Sequence, residues 1–306
     1  MDQIFQNIDG TILLVGLTVL LSLMFMNEVV RRNKYAALFF FLVIPIIFSI
    51  FVWPNTAVKG SSVGTWFDWA KLYSVLTISL IMMAISHVKK LSTKKFMLML
   101  PAILLAVNIM EAVIRDFQVY SMHGFHDGMV LNGGPWNIMN GIAGILNILA
   151  ISGWLGIFAS KSKGKDMVWP DQIWVWVIAY DFWNFAYTYN CIPNHSWYAG
   201  LILLLSSLIP FILIKRGVWL QHRAFTLAFW MMFAMSYPSF IDKSEYAVKS
   251  SNNETSLLVF SSLALLANIL LISYHIYRIR KYKLNPLKDE IYSDTEAYKI
   301  VITENK

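Results

Sequence analysis

The chain has 306 residues, 57% of them hydrophobic and only 14% charged. Soluble domains carry about 25% charged residues, so this composition excludes an ordinary water-surrounded globule and calls for a bilayer as solvent. The net charge of +7 does not point to nucleic acid, because the basic residues sit in short clusters between apolar runs rather than on one face.

The first segment, MDQIFQNIDG, holds Asp2 and Asp9 and no Lys or Arg. It lacks the basic start of a signal peptide, so the first apolar run is expected to stay as a helix. Nine apolar spans are predicted, at 11–31, 36–53, 68–88, 96–115, 136–160, 170–190, 197–214, 221–238 and 255–277. Most hold about the twenty residues that a bilayer crossing requires. The sixth and seventh are the most polar, so eight is the alternative count. The fold class is therefore an all-α polytopic transmembrane bundle.

Nine spans put the N-terminus outside and the C-terminus inside. On that map 20 of the 25 Lys and Arg lie in cytoplasmic links and the tail. The clusters are Arg31, Arg32 and Lys34; Lys89, Lys90, Lys94 and Lys95; Lys161, Lys163 and Lys165; Lys215, Arg216 and Arg223. The remaining five are Lys59, Lys71, Arg115, Lys243 and Lys249. The positive-inside bias selects this orientation over its reverse. Tryptophans at 53, 66, 69, 136, 169, 197 and 219 take interfacial positions near span ends. Glu28 beside Arg31 and Arg32 reads as a structural ion pair at the cytoplasmic edge. The chain divides into a transmembrane domain over 1–277 and a cytoplasmic tail over 278–306. The start of the tail is basic and suits anionic headgroups; the rest is mixed in charge and expected to be partly ordered at most.

Intramembrane polar residues carry the functional reading. Asp181 lies twelve residues after Trp169 and twelve before Pro193, close to the bilayer midplane. A charged aspartate there costs about 2.5–3.5 kcal/mol on insertion scales, so it must face protein or water. Tyr180, Asp181, Asn184, Tyr187 and Thr188 recur at three- and four-residue spacing and form one polar stripe. The fifth span presents Asn137, Asn140, Gly144 and Asn147 on a shared face. The fourth ends with Asn108, Glu111 and Arg115, where Glu111 and Arg115 are spaced as an i,i+4 ion pair. These stripes predict a polar, aromatic-walled cavity opening outward, with Asp181 and Asn147 at its floor and the 116–135 loop above it. Pro135 fits the first turn of a helix whose free N–H groups suit an anion. The competing reading is interhelical packing: intramembrane Asn is often glue worth about 0.6–2 kcal/mol, and Gly141, Gly144, Gly153 and Gly156 suit helix contacts.

Other chemistry is sparse. His123, His126 and Asp127 form a weak HxxHD metal candidate, with His195 in another outer loop. His87, His222 and His275 lie at cytoplasmic helix ends, with nothing to pair them across a haem. Cys191 is the only cysteine, so no intramolecular disulfide forms. No GxSxG, HExxH, P-loop or dinucleotide fingerprint occurs. The last span has no lysine, which excludes a retinal Schiff base there. No cofactor is implied.

The strings NEVVRRNKYAAL (27–38), EAVIRDFQ (111–118), GGPWNIMNGIAGILN (133–147), WPDQIWVWVIAYDFWNFAYTYNCIP (169–193) and WLQHR (219–223) together resemble a family of bacterial multi-span membrane proteins of unknown function. The resemblance covers nearly the whole chain. It implies a bacterial inner (plasma) membrane protein and transfers no activity and no functional residue.

The leading expectation is transport or binding of a small polar or aromatic solute, with proton coupling through Asp181 as an option. Trp174, Trp176 and Trp183 are candidates to stack a planar or cationic ligand. The alternatives are an intramembrane enzyme on a lipid-borne substrate, with Asp181 or Glu111 as acid or base, and a receptor-like sensor. The expected partners are membrane lipid and a small-molecule solute, with a homo-oligomer left open.

Overall fold

The computed structural model describes residues 4–161 and 165–306. Asp2 and Lys163 lie outside the described residues. The helices are α1 (Gly10–Arg32), α2 (Lys34–Phe51), α3 (Trp66–His87), α4 (Lys95–Val119), α5 (Pro135–Leu149), α6 (Trp174–Cys191), α7 (Pro193–Leu213), α8 (Trp219–Ser236), α9 (Glu254–Tyr282) and α10 (Glu296–Asn305). Of these, α1, α2, α3, α4, α7 and α9 are long and apolar enough to cross a membrane. These six are the helices of a membrane protein.

Local sequence sets the helix ends. Asp9 caps α1 by accepting from the Ile12 N–H at 2.8 Å. Thr65 and Asp68 cap α3 reciprocally. Asn253 caps α9 through the Ser256 N–H. Pro135 starts α5, as its missing N–H allows, and Asn137 Oδ1 accepts from the Gly134 N–H at 3.1 Å. Within α2 the backbone widens to a π turn at Phe39–Val43, immediately before Pro45. Such a turn accommodates a residue that cannot donate in the helical ladder.

The connections gather at two ends. At one end Phe5 bridges Ser250, the Ser250 N–H donates to Pro193 O, and Asp242 accepts from Asn194 and the Ser62 N–H. The 116–135 loop is also there, as a hairpin of β1 (His123–His126) and β2 (Met129–Asn132). Asp127 and Gly128 make its two-residue turn with φ of 52° and 76°, the geometry that Asp-Gly favours in a tight hairpin. At the other end Arg31 binds Asp166, the Trp169 N–H donates to Gly217 O, and β3 (Phe158–Ala159) pairs with β4 (Met167–Val168). The links after α1, α5 and α7 thus meet at this second end, and those after α2, α4, α6 and α8 at the first.

The peripheral helices turn apolar side chains outward. Leu14 and Phe25 of α1, Ile50 and Phe51 of α2, and Leu270 of α9 are all more than half exposed. Lipid is the solvent that makes such a surface stable. The interior holds α6, α7 and α8, with α6 packed on α9, α5 and α7, and α8 packed on α7 and α3.

Two expectations need correction. The predicted fifth span, 136–160, stops as a helix at Leu149. Beyond it Gly153 takes φ 67° against the Asp171 side chain, and an added Cβ would lie 2.1 Å from Asp171 Cβ. The tail, expected to be partly ordered at most, folds against the body. α9 continues to Tyr282. Ile291 and Tyr292 are buried, and their N–H groups donate to Asp171 at 3.1 and 2.8 Å. Val301 of α10 packs on Val168 and Val218.

Candidate functional site

The polar residues of the candidate site fall mainly into three separate places. The first is a cavity of about 40 Å³ between α3, α6, α7 and α8. Lys71 and Asp68 of α3, Asn184 and Tyr187 of α6, and Arg223 and Trp230 of α8 line it. The i, i+4, i+7 spacing of Tyr180, Asn184 and Tyr187 turns these three toward α8. Arg223 donates from Nη2 to Asn184 Oδ1 at 3.1 Å and from Nε to Tyr180 OH at 3.4 Å. Its Nη1 is buried without a partner, as are Tyr187 OH and Trp230 Nε1. Among the described residues Arg223 forms no ion pair. Lys71, in contrast, bonds Asn108 O at 2.6 Å and Glu111 Oε2 at 3.2 Å.

The second place is centred on Asp116, which is fully buried near the end of α4. It accepts from Asn140 Nδ2 at 2.8 Å, from the Cys191 thiol at 3.0 Å and from Asn137 Nδ2 at 3.5 Å. Asn137 and Asn140 are thus brought together, but around an acid of the protein itself. Asn147 lies elsewhere and donates to Asn268 Oδ1 of α9 at 2.9 Å. It does not line the cavity, contrary to the expectation that it shares a floor with Asp181.

The third place holds Asp181. A groove of about 360 Å³ runs between α6, α7 and α9, and Asp181 is the only residue with a polar side chain in its lining. Phe182 and Phe185 of α6, Leu204 and Leu208 of α7 and Phe260 of α9 form the walls. Both carboxylate oxygens are buried and make no hydrogen bond. The predicted stripe therefore splits. Asp181 sits about 100° around the helix from Tyr180 and lines the groove, whereas Asn184 and Tyr187 line the cavity. Arg223 is the charge whose field reaches Asp181.

Glu111 and Arg115 do not pair with each other. Arg115 turns to the hairpin and binds Asp127 Oδ2 at 2.8 Å, while Glu111 turns to α3 and Lys71. The reason is geometric: the two lie on adjacent turns at the edge where α4 meets both α3 and the hairpin, and each finds a cross-element partner. That arrangement also engages Asp127, leaving His123 and His126 exposed on β1. Among the described residues no group of three or more His, Cys, Asp and Glu is placed to hold a metal ion. His195 is buried and its Nε2 meets Ser62 Oγ at 2.9 Å. His222 pairs with Asn27, and His275 with Tyr292 OH, both at 2.9 Å. Trp176 and Trp183 are buried, with Trp176 stacked on Tyr180, and Trp174 is exposed.

Sequence reasoning missed Arg223, Lys71, Asp68 and Asp116. Arg223 belongs by its neighbours in the chain to a cytoplasmic basic cluster, but it lies one turn inside α8 and is 4% exposed. The available signal was its position inside the predicted span 221–238, where an arginine needs an internal partner. Asp116 follows Arg115, the end of the predicted span, and so reads as the start of a loop, but α4 continues to Val119.

A family model covers residues 6–304 of this chain, under the description "Family of unknown function (DUF5692)". The chain belongs to that family. No curated protein and no solved structure matches it. The family attaches no activity to the cavity or the groove, so the chemistry of this chain's own residues must carry the functional argument.

Proposed function

We propose that the chain is a bacterial inner-membrane protein that binds a small polar solute in the cavity between α3, α6, α7 and α8 and carries it across the bilayer. The observation behind this reading is a cavity in the helical interior, lined by polar side chains of which three keep unmatched polar atoms. Ligand sites in membrane bundles are built in this way, from a few polar groups held by facing helices. Nine crossings, N-terminus outside and C-terminus inside, fit the alternation of α1 to α9 between two ends. α5 is about 22 Å long, less than the hydrocarbon core, and the chain continues through Gly153 as buried irregular backbone, which membranes tolerate inside protein. Asp181, within the field of Arg223, is the group assigned to proton coupling.

The test is the melting temperature of the purified protein against a panel of small polar and aromatic solutes. A solute that binds only the folded state must raise it. Asn184→Leu, which fills the cavity with apolar bulk, is expected to remove the rise. A wild-type protein that responds to no member of the panel would sink the reading. Solute-driven proton uptake that survives Asp181→Asn in proteoliposomes would remove Asp181 from the coupling.

The groove supports a second reading, an enzyme acting on a lipid-borne substrate. Asp181 is the acid in the lining of an otherwise apolar groove, and a side-chain rotation would bring its carboxyl, buried in this structure, to a lipid-borne substrate as general acid or base. Turnover of an added lipid that is lost in Asp181→Asn, with no response to soluble solutes, would favour it.

A further inference from the structure

Resting on the reading of the cavity as a solute site, we infer that its ligand is a small monovalent anion of the carboxylate class, held by Arg223. The argument begins with the unmatched atoms. Arg223 Nη1 and Trp230 Nε1 are donors only, and Tyr187 OH is able to donate. All three are buried without a partner. None of the unmatched buried atoms in the lining is a carboxylate or amide oxygen. These spare donors are completed by a ligand that brings acceptors.

Charge narrows the class further. Arg223 carries a guanidinium, and its described partners are the Tyr180 hydroxyl and the Asn184 amide rather than a carboxylate. A buried unpaired charge is among the most costly features a fold can hold. Lys71 lies within the field of Arg223 but is already matched by Glu111. Asp68 lines the same cavity, and its Oδ2 is taken by the Thr65 N–H and hydroxyl at 3.0 and 2.6 Å. Among the described residues Asp68 forms no ion pair with Arg223. Asp181 feels Arg223 from the groove but does not reach it. Arg223 is the one cation of the lining with no ion pair among the described residues, and a single guanidinium matches a monoanion better than a phosphate dianion. A planar guanidinium also suits a carboxylate in geometry. A volume of about 40 Å³ has room for a few water-sized groups, so the anion is small: formate or acetate in size.

The experiment uses the full chain in lipid nanodiscs, in a buffer free of small anions. The probes are sodium acetate, its neutral isostere acetamide, and methylammonium. Binding is read by calorimetric titration and by melting temperature. Acetate is expected to bind and acetamide and methylammonium are not. Arg223→Gln is expected to weaken acetate at least 100-fold, with Arg223→Lys retaining part of the affinity. Tyr187→Phe removes one donor while leaving volume and charge in place, and Trp230→Phe removes another while keeping an uncharged aromatic ring of smaller size; each is expected to weaken acetate about tenfold. These two keep the inference open to refutation even where Arg223→Gln fails to fold. Equal binding of acetate and acetamide, unaffected by the donor-deleting variants, would overturn the anion inference and leave the solute site standing. Methylammonium binding without acetate binding would do the same. Failure of all three probes would overturn the anion inference, and the solute panel would then decide the site by itself.

Discussion

Arg31 and Arg223 are both arginines buried inside helical segments, 7% and 4% exposed, and they differ in what faces them. Arg31 binds Glu28 at 2.7 Å and meets both oxygens of Asp166 at 2.9 Å. Its charge is fully answered, and the pairing ties α1 to the β3–β4 connection. Arg223 meets a phenol and an amide, and one of its terminal nitrogens has no acceptor. The first arrangement is what a fold does with a charge it uses for structure. The second leaves an interaction that something outside the fold is able to complete. The Glu28–Arg31–Arg32 ion pair anticipated from spacing is present, with Asp166 as an added partner that spacing does not reveal.

This contrast is open to direct attack. The largest effect is expected at Arg31. Arg31→Met leaves the fully buried Asp166 without its closest cation, and loss of one partner from a buried pair costs about 3–5 kcal/mol. Arg223→Met removes a charge that has no counter-ion, so its effect on the melting temperature should be much smaller, or even stabilising. Equal destabilisation by the two variants would show that Arg223 is as structural as Arg31.

A middle-sized effect is expected at Asp116. Asp116→Ala strands the Asn137 and Asn140 amides and the Cys191 thiol, which should cost about 1–3 kcal/mol. Solute binding, measured as for the wild type, should persist. Its loss would return Asn137 and Asn140 to the ligand site and merge two places that the structure separates. Cys191 itself is fully buried, so sidedness is better read from cysteines placed at the exposed Lys59 and Lys90. An impermeant thiol reagent is expected to label Lys59→Cys from outside the cell and Lys90→Cys only after permeabilisation. The reverse pattern would overturn the orientation.

The smallest effect should appear in pH dependence at the tail latch. Burial raises the Asp171 carboxyl to about 6, against hydrogen bonds from Ser152 and the Tyr292 and Ile291 N–H groups that lower it. The folded state then binds this proton more tightly than the unfolded chain, whose carboxyl titrates near 3.9. Its contribution to stability is present below about pH 4, falls as the pH rises to about 6, and is level above. Wild type minus Asp171→Asn should show this slope in melting temperature, amounting to a few degrees. A flat difference across that window would remove Asp171 as the titrating group.

The sequence alone determined the solvent, the helical class and the positions of most helices. Those features depend on apolar runs of a length set by the bilayer, and on caps and prolines that act within a few residues. It also showed that α6 carries polar residues at helical spacing. Tertiary structure alone decided which neighbour each polar side chain meets. Glu111 and Arg115 are spaced to pair, yet Lys71 and Asp127 stand across from them on other elements. Asp181 and Asn184 are three residues apart, yet one faces a groove between α6, α7 and α9 and the other a cavity against α8. Spacing along one helix gives the angle of a side chain, but its electrostatic surroundings come from residues that lie distant in the chain. Asn184 and Arg223, 39 positions apart, become a site only when α6 and α8 pack side by side.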